Sequence, residues 1–486
     1  MNNPNLNILT NMAKVAQVEL EYYLPIATVL GQQVGSIYAF LGQEDPWPYV
    51  NGVETPIQPT EDQYYLKKTF KNMFALKLLN SNNLSPVIQR IDWAANTNYF
   101  AYSDTQNNYA KDANGLLLNN FYVKNRYDQV FKCLANNQGA LSTYEPYFQP
   151  GSYGTNNIYE GPDLYKWKYM YTIDAGSKNN FMDSVWMPVP VGANTPQPYL
   201  TQAGCGDVEV INITNGGSGY DALNDYIVVT VSGDGTGAVG AITPSQVVGG
   251  SIVDVTVPQG GSGNNYTFAN VSITAYTSSN QKFLAPITSR ATAIAPVSPV
   301  GGHAYDCVSE LGCSHIMFSV EFNGSEGAGV NSIPTDGVVY RQVGLLIDPQ
   351  MYGTTGAVLA NGAVYNTTTQ IQLPSGTGIY YSDDLVFQGK SVDTTSKQTI
   401  MNTASFYGTV LNFNTSTNIL QLINTTGELT LNQSIIDFQT NESRVVFSYS
   451  NSPIIPFSGY ITYIENRAGV QRSADGIEQF KFVLGY

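Results

Sequence analysis

Val208-Glu-Val-Ile-Asn-Ile-Thr-Asn-Gly-Gly-Ser-Gly-Tyr220 recurs as Ile252-Val-Asp-Val-Thr-Val-Pro-Gln-Gly-Gly-Ser-Gly263, with Tyr266 closing the second copy after a two-residue insertion. In each copy apolar and polar residues alternate and then run into a Gly-Gly-Ser-Gly turn, the pattern of a strand followed by a tight reversal rather than of a helix. The glycines supply the positive φ that such turns need, and the tyrosine is placed to cover the turn. Two copies are too few for a solenoid, so residues 205–275 read as a small inserted β-module.

Working outward, the same strand-and-turn grammar continues. Gly408-Thr-Val-Leu-Asn-Phe413 and Ile419-Leu-Gln-Leu-Ile423 are alternating runs between Asn/Thr/Gly turns, which predicts a second insert over 383–450 resembling a small barrel or sandwich. Gly35-Ser-Ile-Tyr-Ala-Phe-Leu41 reads as a strand closed by the 42–48 turn segment. Helical spacing occurs near the N-terminus. Leu9, Met12, Ala13, Ala16, Leu20, Tyr23 and Leu24 predict a helix over 8–24, ended by Pro25. Tyr65, Thr69, Met73, Leu76 and Leu79 predict another over 61–79, with Glu61 and Asp62 at its dipole-positive end. No long helix is expected after Asn80. The expected fold is therefore mainly β with a minor α component: a β-sandwich framework formed by 1–204, 276–382 and a C-terminal hairpin at 451–486, interrupted by the two modules.

Composition agrees with that reading. The 486 residues suggest about three domains, and 34 Tyr, 20 Phe and 45 Gly favour strands and turns. Only 12% of residues are charged, about half the usual share, so Asn, Thr, Ser and Gln must carry solubility. A formal charge of −15 and pI near 4.5 argue against a nucleic-acid partner, which is bound through released counterions by Lys and Arg, and against an anionic membrane surface. No apolar run approaches the ~20 residues of a membrane span, and Met1-Asn2-Asn3-Pro4 does not look like an export signal. Cys133, Cys205, Cys307 and Cys313 lack the spacing of a disulfide scaffold and are expected to be reduced thiols.

Few residues suggest chemistry. His303, Cys307, Cys313 and His315 place both histidines and half the cysteines within thirteen residues, the donor set of a tetrahedral zinc site. Their His-x3-Cys-x5-Cys-x-His spacing departs from paired knuckles, and buried thiols and imidazoles on a β-meander account for them better. If 313–320 is a strand, Cys313 and His315 share a face and Cys307 returns on a neighbouring strand. No Gly-x-Ser-x-Gly elbow occurs. Asp383-Asp384 and Glu44-Asp45 are the paired carboxylates, but neighbours on a strand diverge unless a bulge intervenes. Gly233-Asp-Gly-Thr-Gly237 lacks the ligand spacing of a calcium loop and reads as a hairpin turn. The strand Tyr165-Lys-Trp-Lys-Tyr-Met-Tyr171 sets four aromatics on one face and Lys166, Lys168 and Met170 on the other, a pattern suited to a sugar or nucleobase platform and equally to a core or a subunit interface. The reading assigns no catalytic residue, no cofactor and no metal.

Several segments together resemble the baseplate wedge subunit of T-even-like contractile-tailed phages. They are Ser36-Ile-Tyr-Ala-Phe-Leu-Gly42 with Glu44-Asp-Pro-Trp47, then Pro86-Val-Ile-Gln-Arg-Ile-Asp-Trp93, Val130-Phe-Lys-Cys-Leu134 and Trp167-Lys-Tyr-Met-Tyr-Thr-Ile173. Tyr340-Arg-Gln-Val-Gly-Leu-Leu-Ile-Asp-Pro349 follows. Ser458-Gly-Tyr-Ile-Thr-Tyr-Ile-Glu-Asn-Arg467 with Glu478-Gln-Phe-Lys-Phe-Val-Leu484 is similar to the family's closing hairpin. The resemblance covers roughly residues 30–200, 300–350 and 455–486 and leaves both modules as additions. It implies a non-enzymatic structural protein of the virion tail, assembled in the host cytoplasm. Its partners would be a second copy in a homodimer and the other wedge proteins. The alternative expectation is a carbohydrate-binding adhesin or glycosidase, with the inserted modules touching a host-surface glycan.

Overall fold

The computed structural model describes residues 36–485 apart from 113–115, 150–156, 192–205, 278, 281–282, 325, 336, 354–357 and 390–395. The expected 8–24 helix and Cys205 lie outside the described residues. Antiparallel sheets dominate, so the chain is mainly β, and the described helices are short. Two compact units form, one from residues up to 84 together with 318 onward, the other from 85 to 317.

The first unit is centred on the Ile37–Gly42 strand. It pairs antiparallel with Met73–Leu78 on one side and with Val339–Ile347 on the other; Val339–Ile347 in turn pairs with Tyr460–Gln471. Segments some 300 residues apart in sequence thus become neighbours. Tyr38, Phe40, Leu76 and Leu346 form its core and are shielded from solvent because these interior strands are covered on both faces.

The expected 61–79 helix is only half right. The helix is Gln63–Asn72, capped by the Asp62 carboxylate, which accepts from Tyr65 N at 2.8 Å. Met73 then turns to extended backbone (ψ 133°) and starts a strand, because Ala75, Leu76 and Lys77 find ladder partners on both sides. A short apolar run satisfies helical and strand periodicity alike, and pairing decides between them.

The C-terminal segments do not form the expected hairpin. Tyr460–Gln471 edges the sheet just described, whereas Ile477–Gly485 lies beside His315–Asn323 in a different one. Arg472, buried at the break, donates to Pro334 O (2.9 Å) and Asn323 O (3.2 Å) and pairs with Glu478. It diverts the chain so that the two strands meet through side chains, with Tyr463 against Phe482 (centroids 5.2 Å apart), while Tyr340 of the neighbouring Val339–Ile347 strand packs against Phe480 (5.8 Å). Face-to-face packing of this kind makes a sandwich.

The same unit carries a seven-stranded sheet running from Thr369–Gln372 to Ser448–Ser450. Its long central hairpin is Phe406–Asn414 with Ile419–Gly427, around a core including Ile371, Val386, Val410 and Leu422.

The second unit packs the Gln129–Asn136 and Tyr165–Thr172 strands as an antiparallel pair. Trp167, Tyr165, Phe131 and Tyr171 fill its core. The Gly-rich repeat is shared between a six-stranded sheet whose strands extend from Asn212 to Ile294 and a two-stranded ladder of Val247–Val248 with Ser251–Ile252. The regular ladder of each copy is shorter than the alternation predicts: Asn212–Asn215 in the first and Ser251–Ile252 in the second, the copies meeting at an Ile211–Val255 bridge. Both tyrosines are buried, Tyr220 accepting from Ala291 N (2.8 Å), and Tyr266 lying so close to Gly235 that a Cβ there would come within 2.4 Å of its ring. The Gly233–Gly237 stretch is thus the turn of a hairpin, its Asp234 accepting from Thr267 N at 2.8 Å.

Candidate functional site

In a chain with so few charges, where the ionisable groups are spent is the most informative question. In the second unit three lysines on adjacent strands are buried. Lys168 reaches both oxygens of Glu209 (2.8 and 3.0 Å), and Lys166 reaches Asp254 Oδ1 and Val255 O, both at 2.8 Å. Glu209 comes from the first copy of the repeat and Asp254 from the second. Each copy therefore lends one carboxylate to the lysine face of the Tyr165–Thr172 strand, fixing the Gly-rich module on the sheet. Lys132, fully buried, bonds Glu310 Oε1 (2.6 Å), lies 3.1 Å from His303 Nδ1 and sits 3.5 Å above the Tyr102 ring. Glu310 also accepts from Ala304 N (2.6 Å). Burial would raise its carboxyl, but Lys132 and His303 outweigh burial and hold it down to about 2. Burial and the Lys132 charge push His303 below the ordinary imidazole range, so the ring is neutral near pH 7.

The His/Cys group does not assemble. His303 belongs to the Lys132–Glu310 cluster, and Cys307 begins a short helix, Cys307–Glu310, instead of returning on a strand. The following strand begins at His315, so Cys313 lies just outside it, its thiol contacting Val87 O (3.2 Å) and His315 O (3.3 Å). His315 lies against Trp186 (centroids 4.3 Å), its Nδ1 3.0 Å from Ser314 Oγ. Among the described residues no three His, Cys, Asp or Glu side chains are grouped to hold a metal ion.

The aromatic strand is core on its aromatic face: Tyr165, Trp167, Tyr169 and Tyr171 are all at most 4% exposed, and Trp167 packs edge-on to Tyr99. A platform for sugars or bases at these four residues is ruled out by burial. Its opposite face, which alternation alone presents as charged, is the buried lysine face. The missed signal was two lysines inside an otherwise apolar run, a placement that requires buried partners.

In the first unit the acidic corner ties the two ends of the framework. Glu44 and Asp45, expected to diverge, both reach Lys68, because the strand ends at Gly42 and the chain turns before them. Glu44 is buried and also accepts from Asn72 Nδ2 (2.9 Å), while Arg341 Nη1 donates to Glu44 O (3.1 Å). Trp47 Nε1 donates to Arg467 O at 2.7 Å. Glu54 accepts from Trp47 N, Gly469 N and Arg341 Nε at 2.8–3.0 Å. Burial raises the Glu54 carboxyl, but these three donors outweigh it and the net direction is down. Gln342 and Tyr65 meet Asn466 in the same region. This network also covers part of the outer edge of Tyr460–Gln471, an edge strand otherwise open to pairing.

Asp383 and Asp384 part. Asp383 Oδ1 accepts from Gln43 Nε2 (2.5 Å), and Asp384 faces Asp437. A cleft of about 710 Å³ in this unit is lined by Phe70, Tyr352, Phe406, Tyr449 and Phe457 together with Asn and Thr side chains; Tyr352 and Phe457 are exposed. Glu428 is the one carboxylate among its described lining residues.

No described helix is long and apolar enough to cross a membrane. In comparisons with known proteins, the chain matches no protein-family model and no curated protein.

Proposed function

We propose that this protein is a structural virion component, a subunit of a contractile-tail baseplate wedge that acts through protein–protein interfaces rather than catalysis. The observation that carries the reading is where the segments of resemblance fall. Ile37–Gly42, Val339–Ile347 and Tyr460–Gln471 are successive strands of one sheet, and Gln129–Asn136 and Tyr165–Thr172 pair in another. The resembling segments thus build the framework, and the Gly-rich and seven-stranded modules are attached to it. Internal pairing of Lys132, Lys166, Lys168 and Arg341 supports the same reading, since these cations serve cohesion. Tyr49, Val53, Tyr64 and Tyr460 remain exposed as apolar surface of the kind used at interfaces. The expected outcome is a homodimer by light scattering and density for this chain in the baseplate of purified tails. A monomer absent from tails overturns it.

The aromatic and amide-lined cleft favours a second reading, a glycan-binding role within the same protein, since sugars stack on exposed rings and bond to amides. With one carboxylate in the described lining, the cleft holds no acid pair for hydrolysis there. Calorimetric titration with neutral oligosaccharides, compared between wild type and Tyr352→Ala, tests it; equal heats for the two proteins reject it.

A further inference from the structure

We propose, building on the glycan-binding reading of the aromatic cleft, that its ligand is an anionic saccharide, one whose sugar rings carry a carboxylate or a phosphate, and that Lys71 recognises the charge. Lys71 is the one cation among the described lining residues. It stands in the last turn of Gln63–Asn72, partly buried, and its Nζ donates to Thr426 Oγ1 at 2.7 Å. Among the described residues no carboxylate lies within ion-pairing distance of it. The lysines on either side differ: Lys68 is held by Glu44 and Asp45, and Lys77 by Glu326. In a chain with 37 acidic residues against 22 Lys and Arg, a partly buried lysine bonded to a hydroxyl alone is a departure. An ammonium has three donors, and Thr426 takes one of them, which leaves capacity for an anion.

The rings are displayed beside that ammonium. Phe70, the residue before Lys71, packs edge-on to Phe457 (centroids 5.9 Å apart, 80° between planes), and both line the cleft. Phe457 is 45% exposed and its backbone lies in the left-handed region (φ 62°), as does that of Asn424, another lining residue (φ 49°). That conformation is costly for a bulky side chain, and such strain concentrates where a group has to be presented to a ligand. Phe457 and Tyr352 supply exposed ring faces on which the C–H side of a sugar stacks, while Asn424 and Asn451 supply amides for its hydroxyls. Charge then decides which saccharide binds. Glu428 lines the same cleft, but it is exposed and its field is screened by water, whereas Lys71 is partly buried and anchored by Thr426. A carboxylate or phosphate accepting from the ammonium makes a charge-assisted bond, stronger than the one a sugar hydroxyl makes. An acidic peptide would bring the charge without the ring faces.

The test is calorimetric titration of the full chain at low ionic strength with trigalacturonate and its neutral methyl ester, with phosphorylated and plain maltotriose, and with triglutamate. At least one anionic saccharide is expected to bind about tenfold more tightly than its neutral counterpart, the effect of one hydrogen bond to a charged group. Which of the two does so tells carboxylate from phosphate. Lys71→Met should bring the ratio of anionic to neutral affinity close to one, Lys71→Arg should keep it, and Glu428→Gln should widen it, with thermal melting of each variant checking the fold. Equal binding of charged and neutral forms by the wild type, or a preference that survives Lys71→Met, overturns the proposal and leaves the glycan reading standing. Absence of binding to all four saccharides overturns both. Triglutamate bound as tightly as the better anionic saccharide overturns the saccharide in favour of an acidic peptide.

Discussion

Lys168–Glu209 and Asp384–Asp437 are both buried charge contacts within a β-module attachment or its near neighbourhood, yet they are built on opposite principles. The first is compensated: cation and anion meet at 2.8 Å, and Lys166–Asp254 repeats the arrangement two residues away. The second sets two carboxyl groups together, Asp384 against the buried Asp437, and burial and the Asp437 charge raise Asp384 to about 6. A compensated pair fixes a module permanently and is indifferent to small ions. An uncompensated pair is eased when its members share a proton, so its rigidity follows pH.

The largest effect should come from breaking compensation. Lys168→Met leaves Glu209 buried and unpaired and is expected to cost about 3–5 kcal/mol. Lys168→Met combined with Glu209→Leu should recover most of that loss, because an apolar pair needs no partner. Urea denaturation of the two variants and wild type measures both; a double variant as unstable as the single one would show that the pair is not an isolated contact.

Acidification should separate the regions by sign. Glu310 has a folded value near 2 against an ordinary 4.5, and His303 is depressed below 6.5. Both lower folded values mean stability that is present above the unfolded pKa and lost as pH falls, beginning below about 6.5 for His303 and below about 4.5 for Glu310. Asp384 is raised to about 6 from 3.8, so its contribution is present below 3.8 and lost as pH rises through 6. On going from pH 7 to 5, hydrogen-exchange protection, corrected for the intrinsic pH dependence of exchange, should fall around Lys132 and rise in the Ser434–Asp437 strand. Parallel changes in both regions would dissolve the contrast.

A smaller effect concerns the framework. Trp47→Phe removes the indole donor to Arg467 O while keeping most of the apolar ring, and should cost about 1 kcal/mol. Thermal melting of the variant measures it, and the repeat module of the other unit should be unaffected.

How much of this was legible varies with the range of the interaction. The alternation in 408–413 and 419–423 became a long antiparallel hairpin, and the apolar run read over 35–41 gave the Ile37–Gly42 strand at the centre of its sheet, because side-chain period is a local property. The helix over 61–79 stopped at Asn72 because its second half had two strands waiting to pair with it. The C-terminal hairpin failed because Arg472 found carbonyls far away in sequence. At the candidate sites, the His303–His315 group was visible for its rarity, whereas Lys132, Glu310 and Asp437 gave no local sign. Their meaning lies in partners 178 residues away in one case and across a sheet in the other.

Sequence by itself determined that this chain is β-rich, sparing with charge and organised by glycine turns, since composition and period act over a few residues. Only the tertiary structure decided which charges meet. It gave each copy of the repeat a lysine of the same strand and left Asp437 facing another acid, because burial and pairing depend on what the rest of the chain brings alongside.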